Sequence, residues 1–308
     1  MSEESSLLIM GTGAMACLFA ARLSAAGVHV RMMGSWPEGV AALRELGVRL
    51  VDENGQESAF PVEVITDSEG LRVVYNALVL VKSWQTEHAS RLLSRCLAPQ
   101  GVALTLQNGM GNHETMSQVL GAQRAALGAT TAGAYLIGPG RVKSAGEGVV
   151  TLGIHPRQKP LADLLKSAGF VVETVLDPTI LLWGKLVINA AINPLTALLR
   201  VPNGELLEIP SARSLMTSAA RETAAVAVAR GVHLPYPDPV VAAESIARRT
   251  ARNYSSMLQD VLRGAPTEID AICGAVVQAG EQTGVHAPIN RTLWLLVKSL
   301  AGASQNRS

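Results

Sequence analysis

The sequence predicts a chain in two parts, an α/β first half built on a mostly parallel sheet and an all-α second half. Three observations predict this. Strand-like and helix-like segments alternate from residue 7 to about residue 174. Residues 76–81 are almost entirely apolar, as in a strand that is covered on both faces. Beyond Asp177 the pattern is helical, so we expect domains of residues 1–176 and 177–308.

The composition is that of an ordinary globular protein that is large enough for two domains. The chain has 308 residues, 48% of them hydrophobic and 17% charged, and a formal net charge of +1. It has no basic block of the kind that binds nucleic acid or an anionic membrane surface. The six histidines lack metal-ligand spacing, so we expect no bound metal.

Two further features bear on the compartment. Cys17, Cys96 and Cys273 are widely separated, as is typical of buried, reduced thiols. Glu3 and Glu4 stand where a secretory signal would carry positive charge. We therefore expect a cytoplasmic protein without a membrane segment.

The first strand leads into a glycine-rich turn. Residues 7–10 are predicted to form a buried strand, an apolar helix follows to residue 26, and residues 28–33 form the next strand. This order is the context of a Rossmann-type dinucleotide-binding fold, in which the helix N-terminus faces a pyrophosphate. Gly11 would permit the tight turn, and Gly13 the close approach of the backbone to the ligand. The residues assigned to the cofactor here are Gly11, Thr12, Gly13, Ala14 and Met15.

The end of the second strand usually selects between NAD and NADP. An acidic residue there binds the ribose hydroxyls, whereas an arginine binds the 2′-phosphate. In this chain Arg31 and Ser35 could serve a phosphate, and Glu38 could serve a ribose. The residues alone leave both cofactors open.

Polar residues follow two later strands at the same predicted edge of the sheet. Residues 76–81 are followed by Lys82, and residues 101–106 by Gln107-Asn108-Gly109. Ligands bind at the carboxyl ends of parallel strands, so Lys82 and Asn108 are candidate site residues, with a plain turn as the alternative for Asn108. Residues 123–152 predict an antiparallel meander added to the sheet edge, before a helix at 158–168 and a strand at 170–174.

The second half opens with an apolar helix that carries one polar stripe. Asp177 is suited to the N-cap and Pro178 to the first helical position. Lys185, Asn189 and Asn193 are each four residues apart, so they lie on one face. Such asparagines could receive a polar ligand, although a lysine can also extend to water and asparagines can bond the backbone.

A lysine on an apolar helix is costly unless a counter-charge accompanies it. Glu268 is the first candidate partner, with Asp260 and Asp270 as competitors and a helix-capping role as the alternative. Four more helices are predicted. The first has Ser211 as its N-cap, the second covers residues 238–250, the third runs from Thr267 to Gly284, and the fourth covers residues 288–300. A nucleotide domain joined to a helical domain predicts a substrate in the cleft between the two halves.

Taken in order, these motifs resemble those of the ketopantoate reductases (2-dehydropantoate 2-reductases). The resemblance covers most of the chain, and its last two blocks are the most specific. It comprises Gly11-Thr-Gly13-Ala-Met-Ala16, Val81-Lys82, Gln107-Asn108-Gly109, Lys185-x3-Asn189-x3-Asn193-Pro-Leu-Thr-Ala, Asn203-Gly204, Asn253-x-Ser-Ser256-Met-Leu-Gln-Asp260 and Thr267-Glu268-Ile-Asp270.

The resemblance implies an NADPH-dependent enzyme of pantothenate biosynthesis. It makes Lys185 the general acid and Glu268 its active-site partner, and it places Lys82 and Asn108 at the junction of cofactor and substrate. The residues that it implies for holding the substrate are Asn108, Asn189, Asn193, Asn203, Asn253 and Ser256. The family commonly has an arginine just after the second strand, where this chain has Gly34-Ser35, so NAD is not excluded.

Two other functions are compatible with these residues. The chain could reduce another 2-keto acid to a D-2-hydroxy acid, or it could be a nucleotide-sensing protein without catalysis. The sensing function predicts a missing proton donor, whereas Lys185 is present. The expected partner is a small 2-keto acid, and the alanine-rich helical half could pack on a second copy as a homodimer.

Overall fold

The structure is a computed structural model that describes residues 6–52, 54–66 and 71–305. Glu3 and Glu4 therefore lie outside the described residues. The chain forms two compact units, Met1–Gln107 with Asn112–Pro178, and Asn108–Gly111 with Thr179–Ser308. The first is α/β and the second is helical, which confirms the predicted fold class. The sequence offered no sign that Asn108–Gly111 groups with the helical unit.

The first unit is built on a large sheet with a second, smaller sheet. Its strands are β1 Ser6–Met10, β2 His29–Met33, β3 Val48–Val51, β4 Glu57–Phe60, β5 Glu63–Ile65, β6 Val74–Val79, β7 Leu97–Thr105, β8 Ala125–Thr130, β9 Ala134–Gly138, β10 Arg141–Ser144, β11 Val149–Gly153 and β12 Val171–Val175. Its helices are α1 Ala14–Ala25, α2 Pro37–Leu46, α3 Thr86–Cys96, α4 Asn112–Leu120 and α5 Lys159–Ser167.

The large sheet has the strand order β12-β11-β8-β7-β6-β1-β2-β5. Strand β1 pairs in parallel with β2 on one side and with β6 on the other. The chain therefore changes direction of winding between β1 and β6, which is the position where doubly wound sheets bind ligands. Alternate residues of β1 face opposite sides: Leu7 and Ile9 pack with α1, whereas Leu8 and Met10 pack with α3.

The predicted single meander over residues 123–152 is wrong. Strand β8 joins the large sheet in parallel with β7, and β11 pairs antiparallel with β8. The hairpin β9–β10 instead pairs with β3, giving a separate sheet of order β4-β3-β10-β9. Sequence periodicity identified the strands, but a strand of this length carries no information about which distant strand it will pair with.

The helical unit is organised around α6, Thr179–Leu199. The other helices are α7 Glu205–Glu208, α8 Pro210–Ala229, α9 Pro239–Arg249, α10 Ser256–Leu262, α11 Ala275–Thr283 and α12 Pro288–Gln305. Trp183, Leu186 and Val187 of α6 are buried with apolar residues of α8, α11 and α12. Helix α6 therefore forms the centre of this unit's core.

Three predicted helix starts differ from the structure. Helix α6 begins at Thr179 rather than at Pro178. Helix α8 begins at Pro210 with Ile209 as its N-cap, so Ser211 is not the cap, because a proline can itself occupy the first turn. The helix predicted from Thr267 begins as a π-helical turn, Asp270–Gly274, which leaves Glu268 ahead of it.

Helix α6 is the one helix among the described residues that is long and apolar enough to span a membrane. Length and composition alone are weak evidence, because the core helix of a water-exposed domain meets the same criteria. About two thirds of its most apolar window (67%) is buried inside the protein. Cys17, Cys96 and Cys273 are free and buried, as predicted.

Candidate functional site

In the α/β unit, the glycine turn has the geometry that the sequence predicts. Gly11 has φ +124°, and a Cβ there would lie 3.0 Å from the Leu80 carbonyl oxygen. Its N–H donates to the Met33 carbonyl at 2.7 Å, which closes the turn. Only glycine accommodates both this φ and this contact with Leu80, the residue directly after β6.

Helix α1 begins directly after Gly13, its N-cap residue. Gly13 has no side chain that could cap the helix, and a Cβ placed on it would meet nothing within 4 Å. No side chain at the N-cap accepts from the first N–H groups of the helix, at Ala14 and Met15, which carry the positive end of the helix dipole. This cradle fits the pyrophosphate of a dinucleotide.

Of the three residues that the sequence offered for recognising the cofactor ribose or its 2′-phosphate, Arg31 is not at the end of β2. Arg31 lies in the middle of β2 and is only 6% exposed, and its charge acts on the buried Cys96 thiol. It is therefore not at the strand end where a 2′-phosphate would bind. A Cβ on Gly34 would lie 2.5 Å from the Thr12 side chain, so a larger residue there would require Thr12 to move. Ser35 and Glu38 are both exposed.

In the helical unit, Lys185 and Glu268 form the electrostatic centre. Glu268 is 6% exposed, and Lys185 is partly buried on α6. Burial lowers the pKa of the Lys185 ammonium from 10.5 to about 8, and the Glu268 carboxylate partly opposes this shift. The Glu268 carboxylate therefore acts electrostatically on the Lys185 ammonium, and an amine with a pKa of about 8 can gain or lose a proton near neutral pH.

The segment before Lys185 is held in place by a loop of the same unit. The Tyr236 hydroxyl donates to the Gly184 carbonyl at 2.9 Å. A Cβ on Gly184 would lie 2.7 Å from the Pro235 side chain. The close approach of this loop fixes the turn of α6 that carries Lys185, and this contact was not predicted from the sequence.

Asn189 and Asn193 follow Lys185 on α6, so the predicted single helix is confirmed. Asn189 is partly buried, and Asn193 is 8% exposed. Pro194 has no N–H to donate to the Ala190 carbonyl. The Cys273 sulfur lies 4.0 Å from that oxygen and provides a weak substitute.

Asn203 and Asn253 are brought together through the backbone. The Asn203 N–H donates to the Asn253 carbonyl at 3.0 Å. The Asn203 amide nitrogen donates to Thr250 Oγ1 at 2.9 Å, while the Thr250 hydroxyl donates to the Ile246 carbonyl at 2.7 Å. Since that hydroxyl proton is already used, the amide orientation of Asn203 is fixed.

The side-chain oxygen of Asn203, Oδ1, is left as a buried acceptor without a hydrogen-bond partner among the described residues. A buried polar atom of this kind is uncommon and calls for an explanation, such as a ligand or water. Asn253 itself is exposed. Thr250 was not singled out from the sequence, since a threonine at the end of a helix is unremarkable there.

Ser256 is the first residue of α10 and is partly buried. Its neighbour Ser255 is the N-cap and accepts from the Leu258 N–H at 3.1 Å. The Ser255 hydroxyl also lies 2.7 Å from the Thr196 hydroxyl on α6. The helix that presents Ser256 is therefore tied to the helix that carries Lys185.

Asn108 belongs to a segment that packs with the helical unit. The Met110 N–H donates to the Ala271 carbonyl at 2.9 Å. Gly109 has φ +81°, and a Cβ there would lie 2.6 Å from the same carbonyl oxygen. The glycine thus lets this segment approach the π-helical turn that follows Glu268.

The two units therefore offer different chemistry. The α/β unit presents a cradle for a dinucleotide, with Lys82 in the turn that follows β6. The helical unit presents a titratable amine beside a buried carboxylate, with amide and hydroxyl groups that can bind a polar molecule. No group of three or more metal-binding side chains occurs in the described part of the chain.

Comparison with known proteins identifies the family. The family model described as "Ketopantoate reductase PanE/ApbA" matches residues 7–157, and "Ketopantoate reductase PanE/ApbA C terminal" matches residues 180–301. A 2-dehydropantoate 2-reductase of Halobacterium salinarum is 33% identical over 297 residues, covering 95% of this chain and 97% of that protein.

Two solved structures are similar over nearly the whole chain. A ketopantoate reductase family protein from Ralstonia eutropha has a TM-score of 0.90 and 32% identity, covering 97% of this chain and 99% of that one. A D-mandelate dehydrogenase with NADH and anilino(oxo)acetate has a TM-score of 0.90 and 27% identity, covering 97% and 98%. By its family models and its full-length relatives, this chain belongs to the ketopantoate reductase family.

Proposed function

We propose that this protein reduces 2-dehydropantoate (ketopantoate) to pantoate with NADPH, as a cytoplasmic step of pantothenate biosynthesis. The observation that carries the proposal is the Lys185 ammonium on α6, whose pKa burial lowers to about 8 while the charge of the Glu268 carboxylate opposes that shift. Sequence relatives that are named 2-dehydropantoate 2-reductase support the choice of substrate.

The proposed chemistry needs a proton at the carbonyl oxygen of the substrate. A reduced nicotinamide held at the glycine turn would supply the hydride for the ketone carbon. Negative charge develops on the oxygen, and the Lys185 ammonium stabilises it and then donates a proton to give the alcohol. With a pKa of about 8, the amine is mostly protonated at neutral pH and yet gives up its proton readily.

Glu268 has two roles in this scheme. Its carboxylate keeps the pKa of Lys185 from falling further, so that the acid form persists at neutral pH. It also orients the ammonium. The candidate substrate residues Asn108, Asn189, Asn193, Asn203, Asn253 and Ser256 carry no charge, so they can hold the carboxylate and hydroxyl of a keto acid without repulsion.

The cofactor is proposed to be bound at the glycine turn, by Gly11, Thr12, Gly13, Ala14 and Met15, with Lys82 and Asn108 near its reactive end. NADPH is the expected form by the resemblance to the family. NADH is the alternative, because Arg31 is buried in β2 and Gly34-Ser35 offers no cation for a 2′-phosphate.

The test is steady-state reduction of ketopantoate, with NADPH and NADH compared side by side. The proposal requires saturable turnover that depends on both the keto acid and the reduced cofactor. Absence of turnover with either cofactor, in a protein that is folded and binds the nucleotide, would contradict it.

A second candidate function is reduction of a different 2-keto acid to a D-2-hydroxy acid. It is favoured by the similarity to D-mandelate dehydrogenase, at a TM-score of 0.90 and 27% identity. A panel of aliphatic and aromatic 2-keto acids, assayed under identical conditions, decides between the two. The larger kcat/KM identifies the substrate class.

A further inference from the structure

The α/β unit contains a chain of buried polar side chains, and the motifs described above include one of them, Gln107, without giving it a role. It links Thr105 of β7, Gln107, Thr86 at the start of α3, and Asn112 at the start of α4, and all four are buried. Buried polar groups are costly unless they bond to one another, and a fully satisfied network fixes a single local geometry. We call these residues the Gln107 network.

Every hydrogen bond in the Gln107 network has a defined direction. The Thr86 hydroxyl donates to Asn112 Oδ1 at 2.8 Å, so its oxygen can only accept from Gln107 Nε2, which lies 2.9 Å away. The Thr105 hydroxyl donates to Gln107 Oε1 at 2.9 Å. Both ends of the Gln107 amide are therefore specified, and the side chain cannot flip without breaking bonds.

The second proton of the Gln107 amide reaches the turn that follows β6. Gln107 Nε2 donates to the Val81 carbonyl at 2.8 Å. Because a peptide bond is planar, fixing the Val81 carbonyl also fixes the direction of the Lys82 N–H. The same turn abuts the glycine turn, since a Cβ on Gly11 would lie 3.2 Å from the Val81 nitrogen.

We propose that Thr86 is a positioning residue that, through the amide of Gln107, holds the Val81–Lys82 turn in the geometry that binds the dinucleotide. The inference rests on the proposed function, because it assigns the glycine turn and Lys82 to a nicotinamide cofactor. Thr86 itself touches neither ligand. It acts by keeping the amide protons of Gln107 directed at the Val81 carbonyl.

The test is direct binding of NADPH and of NADH to the purified full-length protein, without keto acid, by titration calorimetry. Thr86→Val keeps the shape of the side chain but removes the hydroxyl. It should raise the Kd of the better-bound nucleotide about 10-fold, the effect of one lost buried hydrogen bond. Thr86→Ser, which keeps the hydroxyl, should restore an affinity within about twofold of wild type.

Ser90 provides a matched control on the same helix. Its buried hydroxyl donates to the Thr86 carbonyl at 2.7 Å, a contact with main chain alone. Ser90→Ala should lower the melting temperature while leaving the nucleotide Kd unchanged. If Thr86→Val does not fold, Thr105→Val removes the donor to Gln107 Oε1 and gives the same test.

Two results would overturn the inference in distinguishable ways. Equal Kd for wild type and Thr86→Val, with only a lower melting temperature, would leave Thr86 with a structural role alone. If wild type binds neither nucleotide, the proposed function itself is wrong, and this inference fails with it.

Discussion

The pH dependence of reduction follows from the Lys185–Glu268 pair. Burial lowers the pKa of the Lys185 ammonium from 10.5 to about 8. A proton donor with that pKa is roughly 90% protonated at pH 7, about half protonated at pH 8 and roughly 10% protonated at pH 9. We therefore expect kcat/KM for the keto acid to fall about tenfold between pH 7 and pH 9.

A lysine that kept its ordinary pKa would give a different profile. With a pKa of 10.5, the ammonium would lose less than about 5% of its protons by pH 9. The assay is the decrease of reduced-cofactor absorbance at constant ionic strength, with saturating cofactor and limiting keto acid. A flat profile up to pH 9.5 would refute Lys185 as a general acid with a lowered pKa.

Glu268→Gln extends the same test. The carboxylate raises the pKa of Lys185 against the effect of burial, so removing its charge should move the alkaline limb to lower pH. Asp270→Asn is the matched control, because the Asp270 carboxylate contacts Trp294 Nε1 and Lys298 Nζ at the surface. A limb that stays in place in Glu268→Gln would leave Glu268 with only a structural role.

Three further predictions test individual residues. Lys185→Ala should lower kcat by about 10²–10⁴-fold with little change in cofactor Kd. Near-normal turnover in the steady-state assay would contradict the role of Lys185 as proton donor. Gly11→Ala meets both an unfavourable φ of +124° and the Leu80 carbonyl, so it should weaken cofactor binding at least about 10-fold by calorimetry. Gly27→Ala, at φ +80° in open space, should affect stability alone. Glu222→Ala removes an acceptor for the Ile289 and Asn290 N–H groups at the start of α12, and should cost about 2 kcal/mol in denaturant unfolding without altering KM.

The sequence by itself determined the local features of this protein, because a turn or one face of a helix depends only on residues that are close together in the chain. The turn between β1 and α1 requires a positive φ at position 11, and the glycine that permits it can be recognised in the sequence. The spacing of Lys185, Asn189 and Asn193 places them on one face of a helix, since helical period alone decides this. Both predictions needed no knowledge of distant contacts.

Only the tertiary structure decided which distant groups meet. The pairing of β10 with β3, the docking of Gly109 against Ala271 and the bonds of Gln107 to Val81 and Thr86 join residues far apart in the chain. The lowered pKa of Lys185 likewise depends on how deeply packing buries the amine, and no residue pattern encodes that depth. Periodicity specifies which residues share a face of a helix or strand, whereas packing decides which elements meet. The chemistry of the candidate site depends on those tertiary contacts.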